Sequence, residues 1–402
     1  MTERFTGNFT QQEPIPEEGI AAAVEVMRSG RLHRYNTGPD GLSETALLEQ
    51  EFAQKLGVRY CLAVASGGYA MATALRALGV GAGDKVLTNA FTLAPVPGAI
   101  AAVGAQPVFV GVTENLTIDL DDLAAKAGQA EVLLLSHMRG HLVDMDALMA
   151  FCDHAGITVV EDCAHTMGAA WNGVPSGTQG RIGCFSCQTY KHVNSGEGGF
   201  LVTDDADVAA RAIMLSGSYM LYEKHLASPP VAAFARLKYE MPNISGRMDN
   251  LRAAILRPQV RALEAQVARW NTRYAALEAG LRGTPGLTVI ERPTAESIVG
   301  SSIQFLLQGW GAAQIEEVMG RCLARGVELK WFGAAEPVGF TSRYDSWRYV
   351  DAAPMPKSDA VLAGIIDMRV PLTFSLEDCA LIARIIRAEV SAVFQGTVAH
   401  PA

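Results

Sequence analysis

At 402 residues, with 49% hydrophobic and only 19% charged side chains, the chain can bury a large core, and its 39 glycines suit tight α/β turns better than a fibre or a disordered tail. The length favours a large domain with a smaller companion. A formal net charge of −9 without any run of Lys or Arg excludes the basic surface that nucleic acids demand, and no apolar stretch approaches the ~20 residues that span a bilayer. The opening MTERFTGNFTQQEPIPEEG lacks the basic-then-apolar plan of a signal peptide, so a cytoplasmic, soluble protein is expected. Seven cysteines in mostly apolar runs suit reduced thiols; Cys184 and Cys187 form a CxxC, but without a second ligand pair no metal site is expected.

In chain order, Glu17 to Ser29 carries Ile20, Val24 and Met27 at helical spacing, with Gly30 as a stop. Ser43 to Leu56 is a second amphipathic helix, closed by Gly57. Tyr60 to Ala65 reads as a buried strand, running into Ser66-Gly67-Gly68-Tyr69 and a helix from Ala70 to Leu78. Glycine lets a backbone approach an anion, and a helix start offers free N–H groups, so a phosphate can sit there; the same turn also serves plain α/β packing. Strands and helices then alternate: LTNA leads to Phe91-Thr92-Leu93 and a helix toward Val103, a strand follows Gly104, a helix covers Leu120 to Ala127, Val132 to Ser136 is a strand, and Asp144 to Ala155 is a helix. This alternation predicts a mostly parallel sheet.

The stretch from Val159 to Gly199 organises the chain. An apolar run, Thr158 to Val160, ends in Glu161-Asp162, the pattern of a buried parallel strand delivering a carboxylate at its C-terminal edge. Spaced glycines, the run Cys184 to Cys187 and then Lys191 follow. A lysine that forms a Schiff base with an aldehyde cofactor, and a carboxylate that keeps the cofactor's ring nitrogen protonated, would use this pair. A strand-end cap and a solvated loop lysine are the plainer alternative.

The words EDCAH, FSCQTYK and GEGG, in that order, resemble the DegT/DnrJ/EryC1/StrS family of pyridoxal-phosphate sugar aminotransferases. The resemblance implies a fold-type I α/β enzyme with pyridoxal 5'-phosphate, in which Lys191 carries the internal aldimine and Asp162 pairs with the ring nitrogen. It further implies that Gly67, Gly68 and Tyr69 hold the phosphate with Ser186, that His165 lies near the ring oxygen, and that Leu93 covers the ring. Three positions depart from the family pattern: Gly68 replaces a threonine of SGTxAL, Leu93 replaces an aromatic residue, and HxYG becomes HMRG, which places Arg139 at a strand edge near the site. Phe91 is the alternative ring contact; Arg139 could pair with a carboxylate or phosphate on a substrate, a structural salt bridge being the commoner fate of such an arginine.

Beyond the helix Asp205 to Ser216, residues Gly217 to Tyr239 read as irregular, as lids and subunit contacts often do. Asn243, four residues before Arg247, resembles the family asparagine that reaches the neighbouring subunit's cofactor, with two additional residues in the spacing; it implies a homodimer with shared sites, and a simple loop cap is the alternative. Asp249 to Leu281 reads as a long linking helix interrupted by Pro258. The remainder offers strands at TVIE and SIQFLLQ, a helix Gln314 to Arg325, a strand start at Gly326-Val327 and a terminal helix Leu376 to Phe394, an α+β domain. The aromatic insert around Trp331, Phe340 and Trp347 is expected in core packing or a dimer contact, with stacking on a base or sugar as the alternative.

The expected organisation is thus an arm (1–20), a large cofactor-binding domain (21–262) and a small C-terminal domain (263–402). The expected reaction passes the amine of glutamate or glutamine to a nucleotide-linked keto-sugar in two half-reactions. A cyclitol or other small ketone as acceptor, another reaction such as dehydration, and a non-catalytic relative are the alternatives.

Overall fold

The computed structural model describes residues 3–399. Its centre is a seven-stranded sheet in the order β1-β9-β8-β5-β4-β2-β3. These strands are β1 (Tyr60–Val64), β2 (Lys85–Asn89), β3 (Gln106–Val110), β4 (Val132–Ser136), β5 (Thr158–Asp162), β8 (Ile182–Ser186) and β9 (Gly199–Thr203); the short β6 (Ala170–Trp171) and β7 (Val174–Pro175) form a small separate sheet with β11 (Glu296–Ser297). Every pairing from β8 to β3 is parallel, whereas β9 runs against both neighbours. Strands β4 and β8 are buried throughout, as an interior sheet covered on both faces requires.

On one face, the helices Gly67–Ala77 and Ala206–Ser216 bury Ala70, Ala74, Leu75, Ile213 and Leu215 against Leu62, Val64 and Leu201. On the other, Phe52 stacks on Phe200 at 4.2 Å and meets Phe185 edge-on at 5.2 Å. The parallel strands all end on one side of the sheet. Ser136, Asp162 and Ser186 therefore stand at neighbouring strand ends, beside the turn that leaves β1 for the helix Gly67–Ala77.

The helix Asn250–Leu281 runs unbroken through Pro258, which corrects the interruption expected from the sequence. Proline removes a helical hydrogen bond, but here it is buried, and its ring lies close beside Gly19 of the helix Glu17–Ser29. This packing outweighs the local penalty. The helix buries Leu256, Val260 and Leu263 in the large-domain core and Tyr274, Leu277 and Leu281 in the small one.

The second sheet is antiparallel, in the order β10-β12-β14-β13, from β10 (Thr288–Val289), β12 (Ser302–Leu306), β13 (Lys330–Trp331) and β14 (Ile365–Arg369). The strand start expected at Gly326-Val327 is instead the turn that closes the helix Ala312–Ala324, and the strand begins three residues later. The helices Phe234–Glu240 and Pro356–Ala363 escaped the sequence reading, as did β14. Phe5 and Phe9 are buried on the small domain, their rings edge-on to Phe374 at 4.9 and 5.0 Å. Among the described residues, no helix is long and apolar enough to cross a membrane.

Candidate active site

A cavity of about 760 Å³ opens at the carboxyl ends of the large-sheet strands. Asp162 enters it from the end of β5. Its Oδ2 accepts a hydrogen bond from Ser136 Oγ (3.0 Å) and its Oδ1 one from the Ala164 N–H (3.1 Å). Thr92 Oγ1 in turn donates to Ser136 Oγ (2.9 Å), so the carboxylate is aimed by a chain of hydroxyls rather than by a buried arginine. Burial pushes the Asp162 carboxyl above its usual range, opposed by the Ala164 N–H, the Lys191 charge and the Ser136 hydroxyl. The protonated ring nitrogen of a pyridoxal cofactor would give this carboxylate a cationic partner.

Lys191 lines the same cavity, with Nζ 2.9 Å from His165 Nε2. Burial, assisted by the nearby charges of Arg139 and Arg369 and opposed by Asp162, brings the amine down to about 7. Burial and the Lys191 charge hold His165 well below the ordinary histidine value, so its ring is neutral and, with the proton on Nδ1, Nε2 can accept from the amine. A lysine amine that is substantially neutral near pH 7 is a competent nucleophile toward an aldehyde.

The turn after β1 has the form of an anion cradle. Ser66 caps the helix Gly67–Ala77 by accepting from the Tyr69 N–H (3.1 Å). A Cβ on Gly67 would stand 2.9 Å from Ser186 Cβ, so glycine here lets the helix start lie against the end of β8. Gly68 faces open space, with its nearest neighbours 3.9 Å from a Cβ position. Ser186 Oγ, which among the described residues meets only a long 3.4 Å approach from the Gln188 N–H, borders the same space. A helix N-terminus, two glycine N–H groups and a hydroxyl fit a phosphate.

Gly67, Gly68, Leu93, Asp162, His165, Ser186 and Lys191 thus converge on one cavity. Tyr69 and Asn243 do not. The Tyr69 ring points the other way, its hydroxyl donating to the Ile244 carbonyl (2.7 Å), and Asn243 is exposed beside Gly217. Phe91 is core, edge-on to Phe332 at 5.1 Å, which leaves Leu93 as the contact on that wall.

The aromatic insert divides between core packing and the cavity wall. Phe340 and Trp347 line the cavity, together with Tyr190 and Arg369, whereas Phe332 and Tyr344 are core. A dense Phe-Trp-Tyr segment signalled a packed surface, but nothing in its spacing told which rings turn inward. Glu161, next to Asp162, is fully buried; burial alone would raise its carboxyl, but His137 and the N–H groups of Gly180 and Gly177 hold it low. It ties down the glycine loop instead of entering the site.

The DegT/DnrJ/EryC1/StrS aminotransferase family model matches residues 14–387. A Streptomyces kanamyceticus protein provisionally named as an L-glutamine:3-amino-2,3-dideoxy-scyllo-inosose aminotransferase is 33% identical over 71% of this chain and 68% of its own length. The L-glutamine:2-deoxy-scyllo-inosose aminotransferase of Streptomyces fradiae is 33% identical over 71% of this chain and 66% of its own. Among solved structures, S. venezuelae DesV superposes with a TM-score of 0.77 at 26% identity, covering 92% of this chain and 94% of that one. The carboxylate at the end of β5, the amine in the loop after β8 and the phosphate cradle at the turn after β1 agree with these likenesses: the chain belongs to the DegT/DnrJ/EryC1/StrS family and is a pyridoxal-phosphate-dependent aminotransferase.

Proposed function

We propose that the enzyme transfers the amino group of L-glutamine to the ketone of a cyclitol-type carbocycle. The observation that carries this acceptor is the naming of the curated relatives, whose substrates are scyllo-inosose derivatives. It favours the small-ring alternative over the nucleotide-linked keto-sugar that the family resemblance first suggested.

Bound pyridoxal phosphate supplies an electron sink conjugated to the substrate nitrogen. In this reading the Gly67 and Gly68 N–H groups and Ser186 Oγ hold its phosphate, and Leu93 gives its ring an apolar wall. Asp162 keeps a proton at the ring nitrogen, steadied by Ser136 Oγ and the Ala164 N–H. Lys191 Nζ would hold the cofactor at its aldehyde carbon until the donor's amine takes that place, and would then serve as the base and acid that moves the proton between the donor's Cα and that carbon. In the second half-reaction Nζ carries it back toward the former ketone carbon of the acceptor. His165 Nε2, neutral, accepts from Nζ and holds it over the site. Two chains are part of the reading: Asn243, exposed and remote from its own cavity, serves the cavity of a second copy.

The test is spectroscopic and then preparative. L-glutamine should bleach the visible band of the purified holoenzyme, and the bleached enzyme should aminate scyllo-inosose. Amination of a nucleotide-linked keto-sugar with no turnover of the cyclitol would overturn the acceptor assignment.

A further inference from the structure

Arg139 and Arg369 are left idle by that reaction scheme. Arg139 holds a left-handed backbone (φ 55°), a conformation that non-glycine residues adopt rarely and that a packed environment must enforce. Its side chain is 6% exposed. Nη2 lies 2.9 Å from Asp367 Oδ2, close enough for charge attraction, but the angle is wrong for a hydrogen bond, and neither Nε nor Nη2 has a hydrogen-bond partner. A buried donor left in this state is destabilising. Arg369, two residues beyond Asp367 at the end of β14, has its guanidinium 3.7 Å over the Tyr190 ring and 5.1 Å from that of Phe340. The Arg139 guanidinium lies 4.7 Å from the same Phe340 ring. Among the described residues no carboxylate pairs with Arg369.

Both arginines line the cavity that holds Lys191. Like charges gathered in a half-closed cavity repel, and both act on the Lys191 amine strongly enough to help lower its pKa. Asp367 offsets part of the Arg139 charge. The remainder calls for an anion supplied by a ligand. Two flat guanidiniums, both flanking one phenyl ring, present forked donors of the kind that fit a planar carboxylate. The cofactor's phosphate has its own cradle at Gly67 and Gly68, and a cyclitol carries no charge. The amino-acid donor and the keto acid it becomes both carry an α-carboxylate.

Resting on the aminotransferase reading above, we propose that Arg139 and Arg369 form the clamp for the α-carboxylate of the amino-acid donor, with Arg369 the larger contributor. The clamp places the donor's Cα beside Lys191 Nζ, and it admits the uncharged acceptor only after the keto acid has left.

Glutarate, a dicarboxylate with no amine to transfer, reports the clamp without any turnover. It should bind the holoenzyme, and Arg369→Gln should weaken it about tenfold or more, as loss of a charge-assisted pair implies. Because Arg139→Gln alone would strand Asp367 buried and unpaired, the Arg139→Gln/Asp367→Asn double variant tests the other arm, with a smaller loss expected. In the donor half-reaction, Arg369→Gln should raise the KM for L-glutamine several-fold more than the KM for L-glutamine α-amide. Equal glutarate affinity in wild type and both variants would overturn the clamp, as would an equal loss with glutamine and its amide. A raised KM for the acceptor with an unaltered donor half-reaction would assign the anion to the acceptor and overturn the donor clamp. If wild type binds glutarate but never reacts with glutamine, the donor reading fails while the binding result still decides whether the arginines take a carboxylate.

Discussion

Lys191 and Asp162 divide the chemistry because their surroundings push them in opposite directions. The lysine amine loses stability as a cation through burial and the two arginines nearby, so it falls from 10.5 to about 7; the carboxyl rises because burial outweighs its hydrogen bonds. For the cofactor-free protein the sign is as follows. Lys191 binds its proton less tightly folded than unfolded, so it opposes folding fully below pH ~7, and that opposition fades as pH rises from about 7 toward 10.5. Uptake of pyridoxal phosphate, which needs the neutral amine, should therefore rise with pH through about 7 and be nearly complete one unit above it. Stopped-flow absorbance across pH 5.5–9, roughly two units either side of a shifted lysine, checks this; a midpoint near the ordinary lysine value would refute it. Borohydride reduction should fix the cofactor to the peptide bearing Lys191, and Lys191→Ala should lose both that label and turnover. Asp162→Asn should retain the label while slowing the donor half-reaction about 10²–10⁴-fold, the usual share of a proton-holding group.

At the scale of elements, the site depends on backbones brought closer than side chains allow. Gly199, the last glycine of GEGG, begins β9, and a Cβ there would stand 2.6 Å from the Phe185 carbonyl and 2.7 Å from the Gly67 nitrogen. These are main-chain atoms that cannot swing aside. Gly199→Ala should cost about 1–3 kcal/mol or more and weaken cofactor affinity by displacing the phosphate turn, while Gly320→Ala, in open space within the helix Ala312–Ala324, should gain about 0.5–1 kcal/mol. Urea titration with and without cofactor separates the two effects. This geometry explains what was legible in the sequence. Strands β5 and β8 are continuous apolar runs, the first ending in Asp162 and the second leading through a short loop to Lys191, so pattern and motif agreed. Strand β14 was illegible because Asp367 interrupts its apolar run, and only the tertiary contacts with Gln304 and Arg139 make a buried aspartate tolerable there. Arg369 was missed with it, since an arginine at an unrecognised strand end has no local signal. Pro258 misled for the same reason: its compensation is the packing beside Gly19, remote in sequence.

At the scale of the molecule, the small domain closes one side of the cavity with Phe340, Trp347 and Arg369, and the long helix Asn250–Leu281 couples it to the large domain by burying side chains in both cores. What the single chain leaves uncovered is the segment near Asn243. Tyr219 is 56% exposed, Ile244 52% and Tyr239 82%, and Arg247 is spent on stacking against Tyr219 (4.8 Å) and donating to the Gly217 carbonyl (2.7 Å), so it steadies this surface without reaching the cavity. Large apolar side chains standing clear of solvent-facing loops are what a subunit contact buries. If two copies meet here, each Asn243 faces the other's site, and complementation follows. Lys191→Ala lacks the nucleophile but keeps Asn243; Asn243→Ala keeps the nucleophile but lacks the neighbour's contribution. Mixed after reversible dissociation, the two inactive or impaired chains should form hybrids in which one of the two sites is intact, with about half the activity of a wild-type dimer per hybrid. Sedimentation should show the dimer in wild type and in both variants. Activity in the mixture no greater than the sum of the separate variants would mean that each site is complete within one chain, and Asn243 would then be an ordinary loop residue.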